Sequence, residues 1–418
     1  MHFLWLTLAE PDPATNGQLI YSKGLIDAVR KAGASLRVIG LARRESTQAL
    51  CDAPGIEWRL ADEHPRRSWN RFLSPLPVVA QRGDSADMKR LVDAAFDERS
   101  WDAVVFDSIC SGWALARVLD RCRRGGQRPR LVYLAHNHEL TVSRHIAGTA
   151  RGLRRIVKSI DGVKVQRLEQ NLVHSADLVT ANTPEDCRLF AAQARCPVEH
   201  LPPGYDGTRL ERRTIDAKLP RRAIVVSSLD WPPKRFAVES FLEAGAAMFA
   251  QAGIELQIVG EAEPAYLAGL RQRFPTVQFV GRVDDVRPFM RQARLALVPD
   301  VLGGFKLKGL DYVFHRLPIL ALRSGLPGMP LVEGQGIGLF DDHAALARGV
   351  LAIVDDLPRL NAWQETAYAA CADCFDWSRI GRHLLEKIGQ ETSRRVTGAT
   401  SVPPFSAASQ TVPLSAGR

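Results

Sequence analysis

The 418-residue sequence predicts an α/β protein built of two consecutive doubly wound parallel-sheet domains. Short apolar runs rich in Val, Ile and Leu alternate with longer stretches of helical periodicity, the pattern of a parallel sheet covered by helices on both faces. The alternation breaks at the turn residues Leu201-Pro202-Pro203-Gly204-Tyr205-Asp206 and then restarts, which marks a domain boundary. Hydrophobic residues at 46% and charged residues at 24% suit a globular chain with material for two cores, and exclude global disorder and fibrous repeats.

Taken in order, the strands of the first block read as Phe3 to Leu8, Ser35 to Leu41, Ala103 to Asp107, Leu131 to Ala135 and Leu178 to Ala181. Between the first two, Leu19, Leu25, Ile26 and Val29 fall mostly at helical spacing over Gln18 to Lys31, and Gly33 supplies a stop. The chain therefore opens as a βαβ unit. The second block repeats the alternation with Ala223 to Val226, Glu255 to Val259, Val277 to Val280, Leu295 to Val298 and Ile319 to Leu322. The expected organisation is one domain over 1–203 and a second over 204–390, whose last helix, about 375–390, is a candidate to pack back on the first. Residues 391–418, dominated by Ser, Thr, Ala, Pro and Gly with Phe405 as the one aromatic, read as a disordered tail. Two such domains enclose a cleft between the carboxyl ends of their sheets, where doubly wound folds bind ligands.

Lys plus Arg number 55 against 46 Asp plus Glu, a formal charge of +9 that favours anionic partners. Nucleic acid is disfavoured, because the excess is modest for this length and no aromatic-basic motif accompanies it. Seven scattered cysteines make a poor disulfide framework and point to a reducing compartment, the cytoplasm. No run of about 18 apolar residues spans a membrane, and the N-terminus lacks a basic n-region and reads as a buried first strand. From Thr141 to Leu168, seven basic residues (Arg144, Arg151, Arg154, Arg155, Lys158, Lys164, Arg167) face one acid, Asp161, for a net +6, with Leu153, Ile156, Val157, Ile160 and Val163 interleaved at helical spacing. This segment, 144–167 in its basic extent, reads either as a surface for anionic lipid at the inner face of the plasma membrane or as a core-packed helix with a solvated basic face.

The most informative stretch is Val298-Pro-Asp-Val-Leu-Gly303-Gly304-Phe305-Lys306-Leu307-Lys308-Gly309-Leu310-Asp311. A strand, two glycines and then a helix place free backbone N–H groups and a positive helix N-terminus at the sheet's carboxyl edge. Lys306 and Lys308 add fixed charge there, and Asp311 is placed to accept from sugar hydroxyls, which together suit a nucleotide diphosphate and its ribose. The competing reading is a solvated helix start behind a glycine turn. His136 follows an apolar strand and is succeeded by Asn137, His138 and Glu139, which puts polar side chains at a carboxyl end; alone it would read as a loop histidine, and Glu139 also suits a helix start. Asn16-Gly17 is a turn by itself, and Asp107 reads as a cap on the next helix. Cys371-Ala-Asp-Cys374 reads as two helical cysteines, Asp284-Asp285 as a helix start and Trp231-Pro232-Pro233 as a rigid turn; with no Asp-x-Asp triplet, no metal site is expected.

The run GGFKLKGLDYVFHRLPILA resembles the GGTRLKxLEAMAxGxPVV signature of the retaining, nucleotide-sugar-dependent "group 1" (family 4-like) glycosyltransferases of GT-B fold. SSLDWPPKRFAVESFLE, IELQIVG and VQFVGRVDDVRPFMRQARLALVPD are similar to further segments of that family's C-terminal domain, in order, and YLAHNHELTVSR and ADLVTANTPED to its N-terminal HNxE loop and ADxVT strand. The resemblance implies two Rossmann-like domains facing across a cleft, transfer of a hexose-type sugar to an acceptor hydroxyl with retention, and no metal or other cofactor. It implies that Lys306 and Lys308 neutralise the departing diphosphate and that His136 contacts the transferred sugar or the acceptor. Gly303, Gly304, Asp311, Gly281, Arg282 and Lys234 fall at donor-binding positions, and Asn16, Gly17, Asn137 and Glu139 on the acceptor side. The implied partners are a nucleotide-sugar and a glycan or lipid-linked acceptor, as in bacterial polysaccharide or glycolipid assembly. Several positions depart from the family pattern: Gly303 stands where many relatives have Glu, Ser228 where they have Arg, Lys234 comes one residue late, and Asn16-Gly17 has one glycine where the family has two. Gly303, Ser228 and the single Gly17 keep open a catalytically silent scaffold subunit, and a GT-B sugar-nucleotide epimerase, which needs no acceptor, is the rival among enzymes.

Overall fold

The computed structural model describes residues 1–43, 54–63, 73–125, 128–302 and 304–397, with side chains to residue 390. The first domain is a sheet of β1 (His2–Ala9), β2 (Ser35–Leu41), β3 (Ile56–Ala61), β4 (Ala103–Asp107), β5 (Arg130–Ala135), β6 (Leu178–Ala181) and β7 (Val198–His200), in the order β3-β2-β1-β4-β5-β6-β7. The second contains β8 (Arg222–Val226), β9 (Glu255–Val259), β10 (Gln278–Gly281), β11 (Leu295–Val298), β12 (Ile319–Leu322) and β13 (Ile337–Phe340), in the order β10-β9-β8-β11-β12-β13. Every strand pairing is parallel. All ten strands expected from the sequence are present, and β3, β7 and β13 are additions. Each of the three is a sheet edge, where a strand is covered less and its apolar run is diluted: β3 carries Glu57 and Arg59, β7 is three residues long, and β13 contains Gly338.

The central strands are buried on both faces because their side chains alternate between two cores. Leu4, Leu6, Val104, Phe106, Leu131 and Tyr133 pack on one side of the first sheet, and Phe3, Trp5, Ala103, Val105, Val132 and Leu134 on the other. In the second sheet Val225, Leu295, Leu297 and Leu320 oppose Ile224, Ala296, Val298 and Ile319 in the same way. The strand order reverses direction between β1 and β4 and between β8 and β11. Those two switch points are where loops leave their sheets on opposite sides and open a crevice.

The chain crosses from the first domain at Leu201–Tyr205 and returns at Phe375–Trp377, and the two crossings are joined by the Tyr205 N–H donating to the Phe375 carbonyl at 3.0 Å. The closing helix Trp377–Thr397 lies against the helix Gly17–Lys31 of the first domain, its Trp377, Ile380, Leu384 and Ile388 completing that domain's core. Trp377 needs glycine on both sides: a Cβ on Gly24 would sit 2.2 Å from the indole, and one on Gly204 2.4 Å. This helix extends through Thr397, past the 391 at which the tail was expected to begin; residues 398–418 lie outside the described residues. Trp231-Pro232-Pro233 is corrected from a turn to a helix start, with Trp231 capping Pro232–Gln251, since proline fits the first helical positions where no amide partner is needed. Of the cysteine pair, Cys371 is buried at a helix end, whereas Cys374 is exposed beyond it.

Candidate active site

Both switch points face one interdomain cavity of about 780 Å³. Its N-terminal wall comes from the loops after β1, β4, β5 and β6, with Asn16, Gly17, Ser108, His136, Asn137, Glu139 and Asn182. Its C-terminal wall comes from the loops after β8 and β11, with Ser227, Ser228, Lys234, Asp300, Lys306 and Lys308. Residues distant in sequence thus meet because parallel strands all deliver their carboxyl ends to the same edge.

On the N-terminal wall, His136 Nε2 lies 2.7 Å from Asp107 Oδ1, and the other oxygen of Asp107 accepts the Trp5 indole N–H at 3.0 Å. Burial opposes ionisation of Asp107, and the donors His136, Trp5 and Ser22 more than offset it, leaving its pKa lowered. Asp107 therefore fixes the imidazole rather than capping a helix; the capping oxygen belongs to Ser108, which holds a positive φ of 65° and accepts from the Cys110 N–H. Tyr21 packs edge-on to His136 at 4.9 Å and donates to the Leu201 carbonyl at 2.8 Å. Asn182 donates to the His136 carbonyl at 3.1 Å. The imidazole is held by its side chain and its backbone at once.

Asn137 and Glu139 form a bridge to the other domain. The Gly304 N–H donates to Asn137 Oδ1 at 3.0 Å, and Asn137 Nδ2 donates to Glu139 Oε1 at 3.0 Å. Glu139 begins the helix Glu139–Thr149, and burial raises its pKa. That helix start is capped by Glu169, whose carboxylate accepts from the Glu139 and Leu140 N–H groups at 2.8 and 3.0 Å. Burial pushes Glu169 up to about 8 despite those donors. Asn16 caps Gly17–Lys31 by accepting from the Leu19 N–H at 3.1 Å, so its side chain has a structural use in addition to its place in the cleft.

The C-terminal wall is cationic. Lys308 Nζ pairs with Asp300 Oδ2 at 2.5 Å, both largely buried, and Lys306 Nζ donates to the Leu302 carbonyl at 2.8 Å. Burial and the neighbouring Lys308 and Lys234 bring Lys306 down to about 8, against the pull of Asp300. Lys234, in the first turn of its helix, is lowered by burial and by Lys308. Burial opposes ionisation of Asp300, but three lysines outweigh it and keep it a carboxylate. The helix Leu307–Phe314 starts immediately after Lys306, and Tyr312 within it accepts the Val226 N–H at 2.8 Å, locking the helix to the end of β8. One buried aspartate, ion-paired to Lys308, thus lies in the field of three lysines at the cavity wall.

Three donor-side expectations are placed differently. Asp311 does not line the cavity; its Oδ1 accepts the Tyr205 hydroxyl at 3.0 Å, and burial raises its pKa. Gly281 has φ +90° at the end of β10, and the exposed Arg282 pairs with Glu261 at 3.3 Å, both outside the cavity lining. Gly303 lies outside the described residues. Asn182, Tyr21 and Asp300 are the site residues that sequence reasoning did not single out, and Asp107 was read only as a helix cap. Asp300 was visible only as a polar residue two positions beyond an apolar strand, and Asp107 as the polar end of one. Among the described residues, no group of three or more His, Cys, Asp or Glu is placed to hold a metal ion.

Residues 220–356 match the family model for Glycosyl transferases group 1, a span that contains all six strands of the second sheet. No curated protein sequence matches the chain. Among solved structures, the chain is similar to sucrose-phosphate synthase from Thermosynechococcus elongatus, with a TM-score of 0.69, 17% identity, and coverage of 96% of this chain and 100% of that one. HepE from Anabaena, in a complex with UDP-glucose, matches with a TM-score of 0.62 and 16% identity over 94% of this chain and 99% of that one. WaaG, a glycosyltransferase involved in lipopolysaccharide biosynthesis, matches with a TM-score of 0.63 and 15% identity over 95% and 100%. Two facing Rossmann-like domains give the chain a GT-B fold, whose second domain matches the glycosyl transferases group 1 model over residues 220–356.

Proposed function

We propose that the chain transfers a hexose-type sugar from a nucleotide-diphosphate sugar to an acceptor hydroxyl, with retention and without a metal. The setting is assembly of a bacterial polysaccharide or glycolipid at the inner face of the membrane. The observation that carries this reading is the convergence of Lys234, Lys306 and Lys308 around Asp300, directly across one cavity from the His136–Asp107 pair. HepE, of the same fold, has been captured with UDP-glucose. No helix among the described residues is long and apolar enough to cross a membrane, so the proposed attachment is peripheral.

In this mechanism the diphosphate rests on the lysines and the start of Leu307–Phe314, and the sugar turns toward His136. The bond between the anomeric carbon and the diphosphate oxygen breaks with its electron pair passing to that oxygen, which the lysines stabilise. The acceptor oxygen bonds to the anomeric carbon from the same face, and its proton passes to the departing diphosphate. Gly281, Arg282 and Asp311 belong to the nucleoside end of the proposed donor site, and Asn16, Gly17, Asn137 and Glu139 to the acceptor side. Because Asp311 is held by Tyr205, its part in ribose binding requires the hydroxyl to give way.

Calorimetric titration with UDP, GDP, ADP and dTDP in the presence of a chelator tests the reading. Clear binding of one nucleotide, lost in Lys308→Ala, is the expected result. Binding of none of them, or undiminished binding by Lys308→Ala, overturns the donor site. Binding that appears only when magnesium or manganese is restored overturns metal independence alone.

A further inference from the structure

The basic segment singled out in the sequence forms a helical hairpin that projects from the first domain. Its second helix, Leu153–Ser175, behaves as two halves. The C-terminal half buries Val165, Leu168, Leu172 and Val173 in the domain core. The N-terminal half buries nothing: residues 151–160 are all exposed, and Leu153, Ile156, Val157, Ile160 and Val163 stand in solvent on one helical face, with Leu153 80% and Ile156 57% exposed. The partner helix Glu139–Thr149 does not cover them. It crosses at Gly162, where an added Cβ would lie 2.9 Å from Ser143 Oγ, and contributes no buried side chain of its own.

A second segment extends the same surface. Asp161 accepts the Val78 N–H at 2.9 Å and Lys164 donates to the Ser74 carbonyl at 2.6 Å, which fastens residues 73–79 alongside the helix. That segment adds Leu73, 80% exposed, with Val78 and Val79. Eight of the fourteen large apolar side chains exposed among the described residues are therefore on this one surface. A soluble protein scatters such residues rather than gathering them. Around the ridge, Arg151, Arg154, Arg155 and Lys158 carry positive charge with no carboxylate partner among the described residues, while Asp161, the acid of the segment, is occupied by the Val78 amide.

We infer that this face docks on an anionic lipid bilayer: the ridge of Leu153, Ile156, Val157 and Ile160 enters the headgroup layer, and the flanking arginines and lysine lie against lipid phosphates. Charge complementarity selects this occupant. A second copy of the chain would bring four more unpaired cations against these four, and an uncharged protein partner would leave them without counter-ions. The inference deepens the proposed function by naming what presents the acceptor, but the docking itself needs no turnover.

Co-sedimentation of the full chain with vesicles tests it, with no donor or acceptor present and titration with UDP, GDP, ADP and dTDP as a separate measure of an intact cleft. The chain is expected to sediment with vesicles of phosphatidylcholine containing phosphatidylglycerol, and to remain in solution with phosphatidylcholine alone. Each basic residue removed weakens that binding roughly fivefold, so Arg154→Glu with Arg155→Glu abolishes it. Leu153→Ser with Ile156→Ser leaves a residual binding that vanishes as salt screens the charges. Both pairs replace solvent-exposed side chains, so their folding is checked by an unchanged Tm. No sedimentation with anionic vesicles, or sedimentation indifferent to both pairs, overturns the inference. So does a concentration-dependent dimer that Ile156→Ser dissolves, which would identify a second copy as the occupant. Binding of none of the four nucleotides with vesicle binding intact would instead overturn the proposed function and leave the docking surface standing.

Discussion

The two walls of the cleft are built from the same architectural parts and hold opposite kinds of chemistry. The wall from the first domain keeps acids out of water: Glu139, and Glu169 behind it, are raised by burial, and Asp107 stays ionised because three donors surround it. The wall from the second domain collects three lysines on a single buried aspartate. In the proposed reaction a diphosphate is drawn to the second wall only, and the first offers a fixed imidazole and amide groups to hydroxyls. Identical topology sets where side chains are delivered; the residue placed after each strand decides what is bound.

The most severe way to break this contrast is Lys308→Ala. Losing one charged contact to the diphosphate should weaken nucleotide binding roughly 10- to 100-fold by calorimetry. It also leaves Asp300 buried without its partner, at a cost on the order of 3 kcal/mol, so Tm falls as well. Adding Asp300→Asn should recover Tm and leave binding lost, which separates the cation's use in binding from its use in folding. On the opposite wall, Asp107→Asn removes the charge that holds the imidazole. A fall of roughly 10- to 100-fold in kcat with nucleotide Kd unchanged is expected, since second-layer partners of a histidine act through its orientation. Equal losses in kcat and Kd would show that the two walls are not independent.

The contrast was partly legible in the sequence. Lys306, Lys308 and His136 could be found because each sits in a local pattern of strand end, glycine or polar run. Asp300 and Asp107 could not be assigned, because their meaning lies in partners far along the chain: Trp5 is 102 residues from Asp107, and His136 is 29. The fold followed the same rule. Strands buried on both faces announce themselves by uninterrupted apolar runs, whereas β3, β7 and β13 are edge strands whose pairing exists only once the neighbouring strand is in place. Asp311 shows what spacing leaves out: it suits ribose, and Tyr205, 106 residues earlier, occupies its carboxylate in this structure.

Two finer tests remain. Gly304→Ala would place a Cβ 2.4 Å from Asn137 Oδ1 and 3.0 Å from the His136 carbonyl, so either Asn137 releases the Gly304 N–H or the walls part. A several-fold rise in KM with little change in nucleotide Kd is expected, and a larger radius of gyration in small-angle scattering marks parting of the walls. The smallest effect is a displaced pH profile. Lys306 is a cation with a pKa of about 8, so nucleotide binding that depends on its charge is complete below that value and is lost as pH rises through it. Asp300 favours the charged form, so Asp300→Asn should move the loss to lower pH, seen as weaker binding at pH 7.5 with near-normal binding at pH 6. An unmoved profile would show that Asp300 does not control the charge of Lys306.

The paired crossings at Tyr205 and Phe375 bear on how the walls come together. Because the chain leaves and re-enters the first domain side by side, tied by one amide-to-carbonyl bond and wedged by Trp377 between Gly24 and Gly204, the two halves are joined by a doubled hinge, so that cutting the strand at 203 alone would not release either arm. That hinge borders the cleft: Tyr21 lies 6.1 Å from Trp377 and 4.9 Å from His136, so a change of angle there is felt directly at the imidazole.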